Sequence, residues 1–331
     1  MAGSLGLAVA GGVDVTTGGG DVDASEIEGV TLEIGDMSLR DLNAIAIDLS
    51  GLAAGLGRPV AGILGYDIFQ RYVVAIDYSR QVVTFHEPAR YRPPDAGEAI
   101  PISIEENIPF VRARIPGLRE PSEAKLEFDT GKTGALTLVR PYVDAAMLLT
   151  PGQREVAITA GALLPGQVPA VVTRIQRLQL GGFGVRDVVT TVVPTQDAAG
   201  VSGDTVGILG AEVLARSTVV IDYSRRQVNL LVRQAERDDQ PFEFDMSGIS
   251  MAAQGPEHRD YLVRLVIPES PAEEAGVEAG DRLVAIDGRP TREIALGDIR
   301  ELFRKDGVLY ALELQRGQAI VRADLRTRRL L

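Results

Sequence analysis

The chain has 331 residues, 45% of them apolar, a formal net charge of −12 and no cysteine. That length supports two or three domains with sizeable cores, while the acidic balance argues against nucleic acid and anionic membrane surfaces as partners. Without cysteine there are no disulfides, thiol nucleophiles or thiolate metal sites, and no run of about 18 apolar residues is present to span a bilayer.

From the amino terminus, Ala2 to Gly12 is too small and too glycine-broken to read as a signal peptide. Compartment is therefore unknown from the sequence, with a periplasmic or extracellular site expected if a signal peptide lies ahead of Met1. Thr17-Gly18-Gly19-Gly20 reads as a hairpin tip rather than a phosphate cradle, because no helix signal follows it. Val, Ile, Thr and Leu then alternate with polar residues over short runs, at 30–34, 73–76, 82–85, 171–180 and 188–193, punctuated by Gly or Pro. This pattern predicts a mainly β protein. Pro/Gly-rich residues 90–97 and polar residues 234–241 read as joints. They divide the chain into units at 1–90, 98–235 and 241–331. His86 and His258 fall in different units and offer no metal cluster.

The first two units share text. Gly62-Ile63-Leu64-Gly65, followed by Asp77-Tyr78-Ser79-Arg80, returns 145 residues later as Gly207-Ile208-Leu209-Gly210 and Asp222-Tyr223-Ser224-Arg225. Ile34-Gly35 and Arg40-Asp41 return at an offset of 146 as Leu180-Gly181 and Arg186-Asp187. One fold unit is used twice. Asp77 and Asp222 each sit between apolar runs in an Asp-Tyr-Ser-Arg sequence, which is hairpin-turn chemistry and not a carboxylate pair. The second unit also carries Leu126-Glu127-Phe128-Asp129-Thr130-Gly131, an apolar run entering Asp-Thr-Gly. A first-unit counterpart would fall before Met1, and Ser4-Leu5-Gly6-Leu7 reads as the stretch that follows it. Gly131-Lys132-Thr133 is not a phosphate loop, since the required first glycine is Leu126.

Apolar-Asp-Thr-Gly with apolar-apolar-Gly about 80 residues downstream resembles the aspartic proteases of the retropepsin and pepsin type. Two such units in one chain look like the bilobal bacterial members. The resemblance covers residues 1–235 and implies two retropepsin-like β-barrel lobes, the first incomplete at its amino end. It makes Asp129 the catalytic carboxylate, with Thr130 and Gly131 supporting it. The implied activity is aspartic-type endopeptidase hydrolysis: two facing carboxylates share one proton and activate a water against a peptide carbonyl. No metal or organic cofactor is implied. Two departures bear on activity. The first lobe lacks its own Asp-Thr-Gly, and Lys132 stands where the family has a small residue, where it can either point to solvent or pair with Asp129 and keep it ionised. The alternative is a catalytically inactive, peptide-binding scaffold.

In the third unit, Ser270-Pro271-Ala272 through Ala275-Gly276, then Gly280-Asp281 and Ile286-Asp287-Gly288, resembles a PDZ domain, an α+β fold. Pro271 starts a short helix, Gly276 ends it, and Asp287-Gly288 is a tight turn. By resemblance Met246, Ser247, Gly248 and Ile249 form the loop whose N–H groups hold a peptide's terminal carboxylate. A helix over 295–305 forms the other wall of the groove, and the peptide adds as a strand beside 249–251. The partners expected are protein or peptide substrates, and peptide C-termini at this groove.

Overall fold

The computed structural model describes residues 9–17, 20–35, 37–93, 97–118, 122–160, 168–231 and 241–331. Ser4 to Leu7 and most of the second joint lie outside these. Three sheets account for the strands. The first holds β1 (Val9–Thr17), β2 (Gly20–Ile34) and β3 (Met37–Ala46), with Thr17 opposite Gly20 across the first hairpin. Helices α1 (Ser50–Leu56) and α2 (Tyr66–Phe69) follow.

The second sheet has twelve strands: β4 (Val73–Asp77), β5 (Val82–His86), β6 (Ala99–Glu105), β7 (Ile108–Ile115), β8 (Ser122–Phe128), β9 (Leu136–Val139), β10 (Val156–Ala160), β11 (Val168–Leu180), β12 (Phe183–Val193), β13 (Gly207–Leu209), β14 (Thr218–Asp222) and β15 (Gln227–Leu231). Its central run is β11-β12-β9-β13-β8-β7, and Gln179 of β11 pairs with Arg114 of β7, which closes a barrel. Closure removes the exposed edges that a flat sheet would present. Inward residues such as Ile115, Leu126, Leu138, Ile175, Leu178 and Leu209 are fully buried and form its core. Three short helices ride on this part, α3 (Arg140–Ala145), α4 (Gln196–Ala199) and α5 (Ala211–Leu214).

Beyond β6 the sheet runs on through β15, β14, β4 and β5, so hairpins from both repeat copies join edge to edge, with Ile221 opposite Val74 and Val219 opposite Ile76. Both Asp-Tyr-Ser-Arg turns take the expected form. Asp77 Oδ1 accepts from the Ser79 hydroxyl and the Arg80 N–H, and Asp222 Oδ1 accepts from Ser224 and the Arg225 N–H. Residues related by the repeat offsets share an unusual backbone. Gly35 and Gly181, Asp41 and Asp187, and Gln81 and Arg226 all have φ between 49° and 57°. In contrast to β2, β3 and α2, residues 62–64 form no strand where Gly207–Leu209 forms β13.

The C-terminal sheet contains β16 (Ile249–Gln254), β17 (Asp260–Val266), β18 (Arg282–Ile286), β19 (Arg289–Pro290), β20 (Leu309–Arg316) and β21 (Ala319–Arg326), in the order β16-β17-β18-β20-β21 with β19 on β18. Helix α6 (Pro271–Glu274) has Ser270 as its N-cap and Pro271 at its first position. Helix α7 (Leu296–Leu302) lies within the expected 295–305. Asp287 and Gly288 both have positive φ, as a two-residue hairpin turn of this type requires. A separate core of Tyr261, Leu296, Ile299, Phe303 and Leu314 fills this unit.

Candidate functional site

Strand β8 delivers Asp129. Its inner neighbour β13 runs parallel to it, with Leu209 opposite Phe128, and antiparallel to β9, with Leu209 opposite Leu136. The chain thus returns between two strands that it made earlier. This geometry is tight and needs glycine on both sides. A Cβ on Gly207 would lie 2.0 Å from the Thr137 carbonyl oxygen, and one on Gly210 would lie 2.4 Å from that of Gly134. The Asp129 N–H donates to the Leu209 carbonyl at 3.1 Å, fixing where the strand ends and the carboxylate begins. Asp129 Oδ1 then accepts from the Gly131 N–H at 2.8 Å and the Lys132 N–H at 3.1 Å. Asp129 and Thr130 are half-buried and Gly131 is exposed.

Two unpredicted groups share this environment. Strand alternation places Glu127 on the same side of β8 as Asp129. Burial, reinforced by the Asp129 charge and opposed by Lys132, pushes the Glu127 carboxyl from its ordinary 4.5 up to about 7. Tyr78 comes from the first repeat copy. Burial and then the Asp129 charge push its hydroxyl up to about 12, and that hydroxyl is buried with no hydrogen-bond partner among the described residues. The Asp129 charge is thus felt by a residue of the first half of the chain. Lys132 acts electrostatically on Glu127, donates its N–H to Asp129 and accepts the Ala211 N–H at its carbonyl. The Lys–Glu–Asp alternation of residues 125, 127 and 129 was the sequence signal that could have singled out Glu127.

The same apolar-apolar-Gly text has opposite fates in the two copies. Ile208 and Leu209 are 5% and 0% exposed, whereas Ile63 and Leu64 are 68% and 45% exposed. In the second copy β8 and β9 flank the segment; among the described residues no strand flanks it in the first.

The loop of the third unit departs from expectation. Its N–H groups do not point into a cleft awaiting a carboxylate. Those of Ser247 and Gly248 donate to Asp245 Oδ1 at 3.0 and 2.6 Å, and that of Ile249 donates to the Ser247 hydroxyl oxygen at 3.0 Å. The Ser247 hydroxyl itself donates to Asp245 Oδ1. Burial pushes the Asp245 carboxyl up to about 6, against these hydrogen bonds, which hold it down. Met246 is buried, bonded through its N–H to Phe303 and through its carbonyl to Arg328. The Asp-Met-Ser-Gly run carried the signal, since an aspartate two residues before a serine forms such local turns.

The family model described as PDZ domain matches residues 262–316, and this part of the chain is a PDZ domain. No curated protein matches the chain. Among solved structures, the chain is similar to the HtrA3 PDZ domain bound to a phage-derived ligand, at 23% identity over 26% of this chain and 86% of that one, with a TM-score of 0.23. It is also similar to a photosystem II D1 C-terminal processing protease, at 25% identity over 25% of this chain and 23% of that one, with a TM-score of 0.24. A retropepsin-like aspartic protease from Rickettsia conorii is similar at 15% identity over 43% of this chain and 94% of that one, with a TM-score of 0.28.

Proposed function

We propose that this protein is an aspartic-type endopeptidase in which a PDZ domain receives peptide or substrate beside a two-lobed catalytic body, the lobes spanning 1–90 and 98–235 and the PDZ unit 241–331. The observation that carries the reading is the setting of Asp129. It ends a strand at a glycine-lined crossing and has Oδ1 held by two backbone N–H groups, and its charge acts on Tyr78 of the first half. A carboxylate fixed in this way can accept a proton from a water aligned against a peptide carbonyl. The partner acid must then protonate the leaving nitrogen. By the logic of the repeat, that acid belongs on a strand seated against Ile63 and Leu64, as β8 is seated against Ile208 and Leu209. Thr130 and Gly131 shape the turn and do not react.

The test is hydrolysis of denatured casein between about pH 4 and pH 7, the range in which a shared-proton pair works. It compares the chain with its Asp129→Asn variant. Cleavage by the chain should be abolished by Asp129→Asn. Cleavage that survives Asp129→Asn would overturn the mechanism. The exposure of Ile63 and Leu64 also fits a second reading, a non-catalytic peptide-binding scaffold, which predicts no cleavage by either protein.

A further inference from the structure

The groove of the PDZ domain lies between strand β16 and helix α7. Strand β16 has β17 on one side and, among the described residues, no strand on the other. Which of its backbone groups face the open side follows from its partner. Val263, opposite Met251, donates its N–H to the Asp281 carbonyl and accepts the Gly280 N–H at its own carbonyl, both away from β16. The Met251–Val263 pair is thus one that exchanges no hydrogen bonds, and Met251 turns its own N–H and carbonyl to the open edge. Arg300 of α7 confirms the direction by reaching across to the Met251 carbonyl at 3.4 Å.

Something already covers this edge. Helix α1, from the first half of the chain, lies against β16. Its C-cap, Gly57, meets the first residue of α7 so closely that a Cβ there would be 2.5 Å from Leu296 Cβ. The helix therefore touches both walls of the groove. Ala53 and Gly57, one turn apart, share a face of α1, and the lack of bulk there permits the approach. Repeat logic makes the position unusual. The counterpart of α1 in the second copy is α4, which rests on β9, β12 and β13 of its own barrel. Helix α1 has found its berth on another domain.

We infer that α1 is the resident occupant of the PDZ groove, and that an extended peptide must displace it in order to pair with β16, whether or not the peptide ends in a free carboxylate. The inference rests on the reading of this groove as a peptide site. A helix uses its backbone groups internally, and no backbone hydrogen bond joins α1 to β16 among the described residues. Helix α1 thus covers the edge without satisfying it. A strand would supply the missing bonds, which makes the exchange feasible. The loop N–H groups already serve Asp245 and Ser247, so a terminal carboxylate gains nothing there, and chain-internal segments should bind as well as C-terminal ones.

The test uses the full chain and two variants of the docking face, Gly57→Val and Ala53→Glu. Fluorescein-labelled Val-Thr-Val-Thr-Val-Thr, as free acid and as amide, serves as the probe. Amide hydrogen exchange is followed over 249–254, with 309–316 as a folding control. If α1 is seated in about nine molecules of ten, its release should tighten probe binding about tenfold. Both variants should also speed exchange over 249–254, leave 309–316 protected, and bind acid and amide alike. Unchanged exchange over 249–254 in both variants overturns the docking of α1 and leaves the peptide-site reading standing. A marked preference for the free acid overturns the exclusion of carboxylates. Faster exchange with no gain in binding overturns the competition, and if no form binds the probe at all, the peptide-site reading falls with it.

Discussion

Glu127→Gln tests the electrostatics around Asp129 without touching Asp129 itself. Glu127 titrates near 7 in the folded chain instead of near 4.5, so the fold favours its protonated form. The sign follows from that elevation. Below about pH 4.5 Glu127 is protonated in both states and costs the fold nothing, and as pH rises from there toward 7 only the folded state must keep the proton or accept a disfavoured charge. The native chain loses stability across that window, and the loss is complete above about pH 7. At about 1.36 kcal/mol per pH unit, the interval sets a ceiling of about 3.4 kcal/mol, and partial exposure to solvent reduces the expected value to about 1–2 kcal/mol. Glutamine keeps the shape and the hydrogen-bonding ability but never ionises. Glu127→Gln should therefore be near neutral at about pH 4 and stabilising by about 1–2 kcal/mol at about pH 8, read from urea unfolding midpoints at matched slopes. Asp129→Asn removes the second cause of the elevation and should shrink the same pH dependence. A substitution that destabilises equally at both pH values would refute the reasoning, because Glu127 would then be a hydrogen-bonded structural residue with no charge penalty to relieve.

Two further outcomes follow from burial and pairing. Leu209→Ala should cost about 3 kcal/mol, as for a fully enclosed leucine, whereas Leu64→Ala should change stability by less than about 0.5 kcal/mol; equal losses in thermal unfolding would mean that the first segment is also enclosed. Arg316 holds Asp281 through Nε and Nη2, both at 2.8 Å, and Asp281 is 1% exposed. Burial raises the Asp281 carboxyl, but the hydrogen bonds from Arg316 and the Glu278 N–H outweigh it and hold it below its ordinary value. That stability is present at neutral pH and lost as pH falls through the depressed value. Arg316→Met should therefore destabilise the PDZ domain at neutral pH and move its acid unfolding to higher pH, and an unshifted acid transition would contradict the pairing.

What the sequence made legible was local or duplicated. Alternation in 171–180 and 188–193 foretold β11 and β12, although both strands extend further, because barrel pairing prolongs a strand beyond its patterned part. The Asp-Tyr-Ser-Arg turns were readable because the carboxylate bonds the residues two and three positions ahead of it. Asp-Thr-Gly and Ile208-Leu209-Gly210 could be matched across about 80 residues only by resemblance, since nothing in either segment alone says that one strand must slide between two others. The contrast between Ile63 and Ile208 was not legible at all. Identical text is buried or exposed according to which strands flank it, and that is a property of the assembled sheet.

Asp245 marks where reading by resemblance stops. A loop of three N–H groups can hold one anion, and which anion is a matter of competition rather than motif. A carboxylate two residues away is attached to the loop by a few bonds, and its effective concentration exceeds that of any peptide end arriving from solution. The hydrogen bonds from Ser247 and Gly248 are then already made, and an incoming carboxylate would have to break them first. The motif foretold a cradle with the correct residues, and the aspartate just before it decides that the cradle is full. Helix α1 repeats the lesson at longer range. It covers an edge that a peptide would otherwise find open, through a contact between residues about 200 positions apart that no local pattern encodes. Both occupants belong to the chain itself, so what this PDZ domain binds depends on what it must first let go.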